Sequence, residues 1–336
     1  MRIKARSTPN IALIKYWGNR NNELRLPRAD SLSITLDAPT IEVEIESAED
    51  FSVQSFDASG IEKPQSEKSI ARLRAHYELT KTYLTSLRVA DTLPAYLHLV
   101  IRSRIPQAIG IASSAAVFSC LAEAYAGFLS LPLTREQISV LARLGSGSAA
   151  RSVLGGFVAL ENIAGDDIGS ARARQIAPEH HWILHDIILV PSQKEKKVGS
   201  TEGHAMAATS PFFEERLRQI PRRMNECIDA ITRKDFEKLQ RVSEEDTLDM
   251  HRCMRTQNPP LDYLSDETHR IIRGIEAFRG KEKLEVLYTM DAGPTVHLFC
   301  TDAARKTVEE YAETQKNCMI FKAKGGGGSR LIPACR

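Results

Sequence analysis

The chain has 336 residues, with 45 lysines and arginines against 43 aspartates and glutamates, a formal net charge of +2. That near-balance excludes the strongly basic surface that nucleic-acid binding by charge alone needs, and leaves room only for a local basic pocket. No run approaches the roughly 20 apolar residues of a membrane span, and no apolar signal segment follows "MRIKARSTPN", so a soluble, cytoplasmic protein of two domains is expected.

The first hundred residues read as strands. "SLSITL", "TIEVEIES" and "AYLHLVIRSRI" alternate apolar and polar positions, with a helical insert near residues 68–89. From Ile111 the pattern turns helical in "SSAAVFSCLAEAYAGFL", with Ser113 and Ser114 as cap candidates, and again in "TREQISVLARL", which starts on Thr134. "WILHDIILVPS" is a buried strand by its apolar run. The polar, charged "SQKEKKVGSTEGHAMAATS" after it reads as a loop or active-site lid that opens a second region. Residues 211–280 are largely helical, and "LEVLYTM", "TVHLFC" and "CMIFKAK" are strands around the helix "DAARKTVEEYAETQ". "GGGGSR" near the end reads either as a linker or as a tight connection to a last strand. The six cysteines have no metal-site or C-x-x-C spacing, and no histidine pair suits a transition metal.

Three stretches carry polar groups suited to chemistry. "IPQAIGIASSAAVFSCLAEA" runs a glycine-bearing turn into a helix start, whose unpaired N–H groups and dipole suit phosphate; it is neither a Walker A loop nor a G-x-G-x-x-G fingerprint, and equally suits a capped core helix. In "RLGSGSAARSVLGGF", Ser146 and Ser148 flank Gly147, and helical spacing puts Ser148 and Arg151 on one face, where hydroxyls and a guanidinium converge on an anion. The alternative there is a loosened turn with a solvated arginine. In "YTMDAGPTVHLF", Asp291 ends an apolar strand; such a carboxylate is paired, used, or satisfies an Asx-type turn. "KYWGN", Lys15 to Asn19, places a lysine among apolar and aromatic residues as a pocket segment would.

In this order and spacing, "NIALIKYWGN", "IGIASSAA", "RLGSGSAARSVLGGF" and "MDAGPT" resemble the mevalonate diphosphate decarboxylase family of the GHMP kinase superfamily, from about residue 8 to about residue 300. The resemblance implies an α+β GHMP kinase fold. Residues 1–188 would form an N-terminal domain like ribosomal protein S5 domain 2, and residues 189–336 a C-terminal ferredoxin-like domain, with the active site in the cleft. It implies ATP and Mg²⁺, a homodimer, and a reaction that phosphorylates the C3 hydroxyl of a phosphorylated mevalonate, then releases phosphate and CO₂. By the same resemblance Asp291 takes or orients the hydroxyl proton, and Lys15 holds Asp291 ionised. Pro106, Gly110, Ala112, Ser113 and Ser114 hold the nucleotide phosphates, with Ser113 and Ser114 also near Mg²⁺. Arg151 grips the substrate carboxylate, while Tyr16, Ser146, Gly147 and Ser148 contact substrate.

Two positions depart from the family pattern. Members that use a diphosphate end the first motif as "KYWGK" and carry an arginine in a "KKVSSR"-like stretch, whereas this chain has Asn19 and, in "KKVGST", Thr201. Two cations are thus missing from one end of the expected pocket. The expected substrate is mevalonate 5-phosphate, giving isopentenyl phosphate, with Tyr16, Asn19, Ser200, Thr201 and His204 hydrogen-bonding a single phosphate. The alternative keeps mevalonate 5-diphosphate, with Arg20, Arg25, Lys196 or Lys197 replacing the missing cations; a mevalonate 3-kinase or a non-catalytic relative ranks below both.

Overall fold

The computed structural model describes residues 1–89, 93–105, 113–129, 132–191 and 199–333. In chain order the N-terminal half contains β1 (Arg2–Ser7), β2 (Asn10–Ile14), β3 (Asn19–Asn21), β4 (Leu26–Pro27), β5 (Ser31–Thr35), β6 (Ile41–Ala48) and β7 (Ser52–Phe56). These lead into α1 (Glu67–Ser86), β8 (Tyr96–Ser103), α2 (Ser113–Ala126), α3 (Arg135–Gly145), α4 (Ala149–Val153), β9 (Phe157–Asn162) and β10 (Ala171–Ala177). The C-terminal half contains β11 (Leu184–Val190), α5 (Ser200–Met206), α6 (Phe213–Arg233), α7 (Phe236–Thr256), α8 (Asp266–Glu282), β12 (Val286–Thr289), β13 (Val296–Thr301), α9 (Arg305–Glu313), β14 (Met319–Lys324) and β15 (Arg330–Ile332).

Local chemistry accounts for most of these elements. The Thr134 hydroxyl accepts from the Gln137 N–H, and the Gln137 side chain accepts from the Thr134 N–H, so a capping box starts α3 where the sequence placed it. Glu42, Glu44 and Glu46 alternate with buried Val43 and Ile45 along β6, the period of a strand covered on one face. Helix α2 has the Ala-rich surface that lets it pack closely on β1, β6 and α3.

The strands form three main sheets, ordered β15-β1-β6-β8-β7, β10-β9-β5-β2 and β12-β13-β11-β14. "GGGGSR" is the tight connection, since β15 follows it and pairs antiparallel with β1. "SLSIT" is not half-solvated as its alternation suggested: all five residues of β5 are buried, because the polar face meets Arg151 and α4 instead of water. "STEGHAM", expected as loop or lid, forms α5, and Gly203 there lies so close to the Trp17 ring that a Cβ would come within 2.5 Å of it. Lys196 and Lys197 lie outside the described residues. The C-terminal sheet has a compact apolar cluster of its own with α8 and α9, while Trp17, Phe213, Met250, Cys253 and Leu261 form a smaller one where β2 meets α6 and α7. That smaller cluster floors the cleft described next.

Candidate active site

A cavity of about 130 Å³ opens where the end of β2, the α3–α4 turn, the start of α5 and the turn after β12 converge. It brings together Lys15, Tyr16, Asn19, Ser146, Gly147 and Ser148 with Arg151, Ser200, Thr201, His204 and Asp291. Every residue expected to touch substrate or do chemistry therefore lines one cavity. Ser114 lines it too and also borders a second cavity of about 270 Å³, which Ser113 lines as well. Pro106, Gly110 and Ala112 fall outside the described residues.

The centre of the site is an ion pair across the cleft. Lys15 Nζ lies 2.7 Å from Asp291 Oδ1, with the lysine side chain 1% exposed and the aspartate 30%. Burial pushes the Lys15 ammonium below the usual lysine range, partly countered by Asp291. Burial also pushes the Asp291 carboxyl up, but the charge and hydrogen bond of Lys15, with His297 and Arg151 helping, outweigh it and leave the carboxyl below the usual range. The result is an ionised carboxylate beside a desolvated ammonium. Asp291 has no side-chain bond to local backbone among the described residues, so it is not the residue of an Asx turn.

Arg151 is buried and held from three sides: Nε donates to Ser33 Oγ at 2.9 Å and Asn10 Oδ1 at 3.3 Å, and Nη1 donates to Ser31 Oγ at 2.6 Å. Its Nη2 carries no bond to a described residue, which leaves one arm of a fixed guanidinium for an anionic ligand. It is not the solvated arginine of the plainer alternative. The hydroxyls of Ser114, Ser146 and Ser148 run in a chain, 3.2 and 3.3 Å apart, from the edge of the second cavity into the first.

The other end of the cavity is lined by aromatic and uncharged polar side chains, with the Arg25 guanidinium beside them. His204 lies against Tyr16 and Trp17, with ring centroids 4.3 and 4.5 Å away. Its Nδ1 accepts from the Gly18 N–H at 3.0 Å, and burial, with Arg25 and Arg151 nearby, lowers its pKa to about 3. His204 is therefore a neutral imidazole whose Nε2–H is the available donor. Tyr16, which donates to Asn19 Oδ1, is raised by burial to about 12 and stays a phenol. Gly18 has φ +92°, which frees "KYWGN" to turn there, and a Cβ would collide with the Phe213 ring.

At Gly147 an added Cβ would stand 2.4 Å from the Tyr16 ring and hydroxyl. Gly147→Ala should therefore push Tyr16 off Asn19, raise KM for substrate about tenfold and cost about 1–3 kcal/mol of stability. Steady-state kinetics and thermal melting check this, and an unchanged KM in a folded variant would contradict it.

Of the cations proposed as substitutes, Arg25 lines the cavity, with Nε donating to the Leu144 carbonyl at 3.0 Å. Arg20 does not: Asn162, Asp166 and the carbonyls of Ile163 and Ser170 hold it elsewhere. Sequence reasoning missed Arg72, which borders both cavities, donates to the Gly145 carbonyl at 2.8 Å and lies over the Phe118 ring. It also missed Asn10, Ser31 and Ser33 as the holders of Arg151.

Comparison with known proteins gives one consistent family. Residues 7–171 match the model described as the diphosphomevalonate decarboxylase-like N-terminal domain, and residues 186–324 that of the mevalonate 5-diphosphate decarboxylase C-terminal domain. The diphosphomevalonate decarboxylase of Candida albicans is 34% identical over 308 residues, covering 89% of this chain and 84% of its own. Among solved structures, MDDEF in complex with MVAPP, AMPPCP and magnesium is 29% identical at TM-score 0.87, covering 99% of both chains. The mevalonate diphosphate decarboxylase of Staphylococcus aureus has the same identity and TM-score, covering 99% of this chain and 98% of that one.

Proposed function

The chain belongs to the mevalonate diphosphate decarboxylase family, with its mixed α/β GHMP-kinase-type fold, and we propose that it is an ATP-dependent decarboxylase acting on mevalonate 5-phosphate. The products are isopentenyl phosphate, CO₂, ADP and phosphate. The observation that carries the monophosphate is how little positive charge one end of the cavity holds: Tyr16, Asn19, Ser200, Thr201 and His204 offer hydrogen bonds and no charge, with Arg25 beside them. Arg151 serves the substrate carboxylate, and Arg72, shared with the second cavity, serves the nucleotide. Arg25 is then the one guanidinium left for the substrate's phosphate. A second phosphate would bring roughly one more negative charge to this desolvated end, at a cost on the order of a few kcal/mol.

Each side chain has a role set by its position. Asp291 accepts the proton of the C3 hydroxyl as its oxygen attacks the γ-phosphorus of ATP. Lys15 keeps that carboxylate ionised and stabilises charge on the transferring phosphoryl group. Arg151, itself braced by Ser31 and Ser33, fixes the substrate carboxylate. The C3–O bond then breaks with its electron pair leaving on phosphate, the electrons of the C1–C2 bond form the C2=C3 double bond, and CO₂ departs.

The second cavity, with the Ser113 and Ser114 hydroxyls opening α2, suits the triphosphate. The described residues hold no group of three His, Cys, Asp or Glu able to bind a metal, so Mg²⁺ would arrive with ATP, held beside Ser113 and Ser114, and would neutralise phosphate oxygens. A relative of the same fold in complex with AMPPCP and magnesium supports both. With a domain division near residue 188, the N-terminal domain supplies Lys15, Arg151, the nucleotide serines and most of the substrate residues, and the C-terminal domain supplies Ser200, Thr201, His204 and Asp291.

One observation favours a second reading, mevalonate 5-diphosphate as substrate: Arg25 and Arg72 both line the substrate cavity, and the relatives are named for the diphosphate. Asn19→Lys combined with Thr201→Arg separates the two. The double variant should shift the ratio of kcat/KM toward the diphosphate by about tenfold or more. No shift would mean that Arg25 and Arg72, not positions 19 and 201, set the preference. Equal release of ADP and CO₂ by the wild-type protein tests the decarboxylase itself, since a 3-kinase releases ADP alone.

A further inference from the structure

The ladder between β2 and β5 ends at Ile14, and β2 is an edge strand, so the sheet gives the peptide groups of Lys15 no partner. A buried ion pair takes them instead. The Lys15 N–H donates to Asp246 Oδ2 at 2.6 Å, and its carbonyl accepts from Arg216 Nη2 at 3.2 Å. The two side chains grip each other through Nη1–Oδ1 at 2.9 Å and Nη2–Oδ2 at 3.0 Å, and the pair is joined to a second one: Arg223 Nη1 donates to Asp246 Oδ1 at 3.1 Å and Arg216 Nη1 to Asp249 Oδ2 at 3.3 Å. Asp246 is 0% exposed and Arg216 2%.

Burying two charges is costly, and for stability alone an apolar pair of similar volume serves as well or better. What an apolar pair cannot do is hydrogen-bond both peptide groups of Lys15. The same face of α7 also reaches the segment that carries Asp291. Thr247 Oγ1 meets Thr289 Oγ1 at 2.9 Å, Thr289 Oγ1 in turn donates to the Ala12 carbonyl at 3.3 Å, and the buried His251 ring faces the Met290 backbone. Both halves of the ion pair across the cleft are thus hung from one helix.

We infer that Asp246 and Arg216 are positioning residues for the reaction: through the main chain of Lys15 they set where its ammonium stands relative to Asp291. This rests on the reading that Lys15 and Asp291 carry the chemistry. The charged and titratable groups around Lys15 are Asp291 after β12, Asp246 and His251 on α7, Arg216 on α6 and Arg151 on α4, while His297 on β13 faces Asp291. Tyr16 and His204 there are neutral. Burial lowers the Lys15 pKa, and the negative charges of Asp291 first and then Asp246 raise it against that.

The test is Asp246→Asn, read against wild type on whichever phosphorylated mevalonate the wild type decarboxylates. A displaced Lys15 should lower kcat about a hundredfold while KM stays near the wild-type value. With the negative charge gone, the Lys15 ammonium loses its proton at lower pH, so the basic limb of the pH–rate profile moves toward acid. A purely structural role lowers the melting temperature but leaves that limb in place. A folded Asp246→Asn with wild-type kcat and an unmoved limb overturns the proposal. Arg216→Met with Asp246→Leu gives the companion variant, which keeps the Arg223–Asp249 pair at 2.7 Å and should fold and still lose kcat. If it does not fold, or folds and keeps wild-type kcat, the pair is there for the fold and the proposal fails. Each result is a ratio to wild type, so failure here leaves the decarboxylase assignment standing, whereas a wild type that releases no CO₂ defeats that assignment itself.

Discussion

Asp291→Asn is expected to reduce CO₂ release by about 10²–10⁴-fold, the usual contribution of a positioned general base, while ATP still binds. The amide keeps the shape of the carboxylate but cannot take the C3 hydroxyl proton. It also leaves Lys15, 2% exposed, as a buried cation without its partner, so the ammonium will release its proton more readily. Removing one member of a fully buried pair costs about 3–5 kcal/mol, and the loss here should fall at or below the lower end because the Asp291 side chain is 30% exposed. Trapped labelled CO₂, with nucleotide binding measured on the same preparation, checks both halves. A variant that keeps more than about a tenth of wild-type turnover would contradict a general-base role.

Lys15→Met should lower kcat by about 10²–10³-fold, the scale seen when one preorganised donor to developing charge is removed. The pH profile gives a sharper readout. The lysine is what overrides burial and holds the Asp291 carboxyl below its usual range, so without it burial raises that pKa. The proposed general base acts as the carboxylate, so the residual rate of Lys15→Met should rise through a limb at higher pH than in wild type. An acid limb that stays where it was would mean that some other group holds Asp291 ionised.

The ion pair across the cleft was legible as two separate motifs because each breaks a local rule: a lysine among apolar residues at 15, and an aspartate closing an apolar strand at 291. Such violations mark functional sites when local propensity and function disagree. What holds the pair was not legible. Asp246 and Arg216 sit in helices where alternating charge reads as a solvated surface, and only the packing of α6 and α7 on β2 turns them inward. Arg72 gave no signal for the same reason, lying in "ARLRAH" among exposed charges on α1.

The serines of "SLSIT" carried information that the alternation obscured. Ser31, Ser33 and Thr35 form a polar face, but that face meets Arg151 and the backbone of α4. A strand with small hydroxyls on its polar face, where a solvated strand usually has charged residues, is the pattern that would have found them. Pairing of β1 with β15 joins the two ends of the chain, and no local pattern could announce it. The capping box of α3, by contrast, lies within four residues and was readable directly.

Substrate choice is where the molecule is most open to direct test. The measurement is kcat/KM of the wild-type protein for mevalonate 5-phosphate and for mevalonate 5-diphosphate, with ATP and Mg²⁺, under one set of conditions. A cavity end lined by Asn19, Thr201 and a neutral His204 should favour the monophosphate by about a hundredfold, the ratio that roughly 2.7 kcal/mol of unpaired charge produces. Preference for the diphosphate would contradict it and hand the role of the missing cations to Arg25 and Arg72.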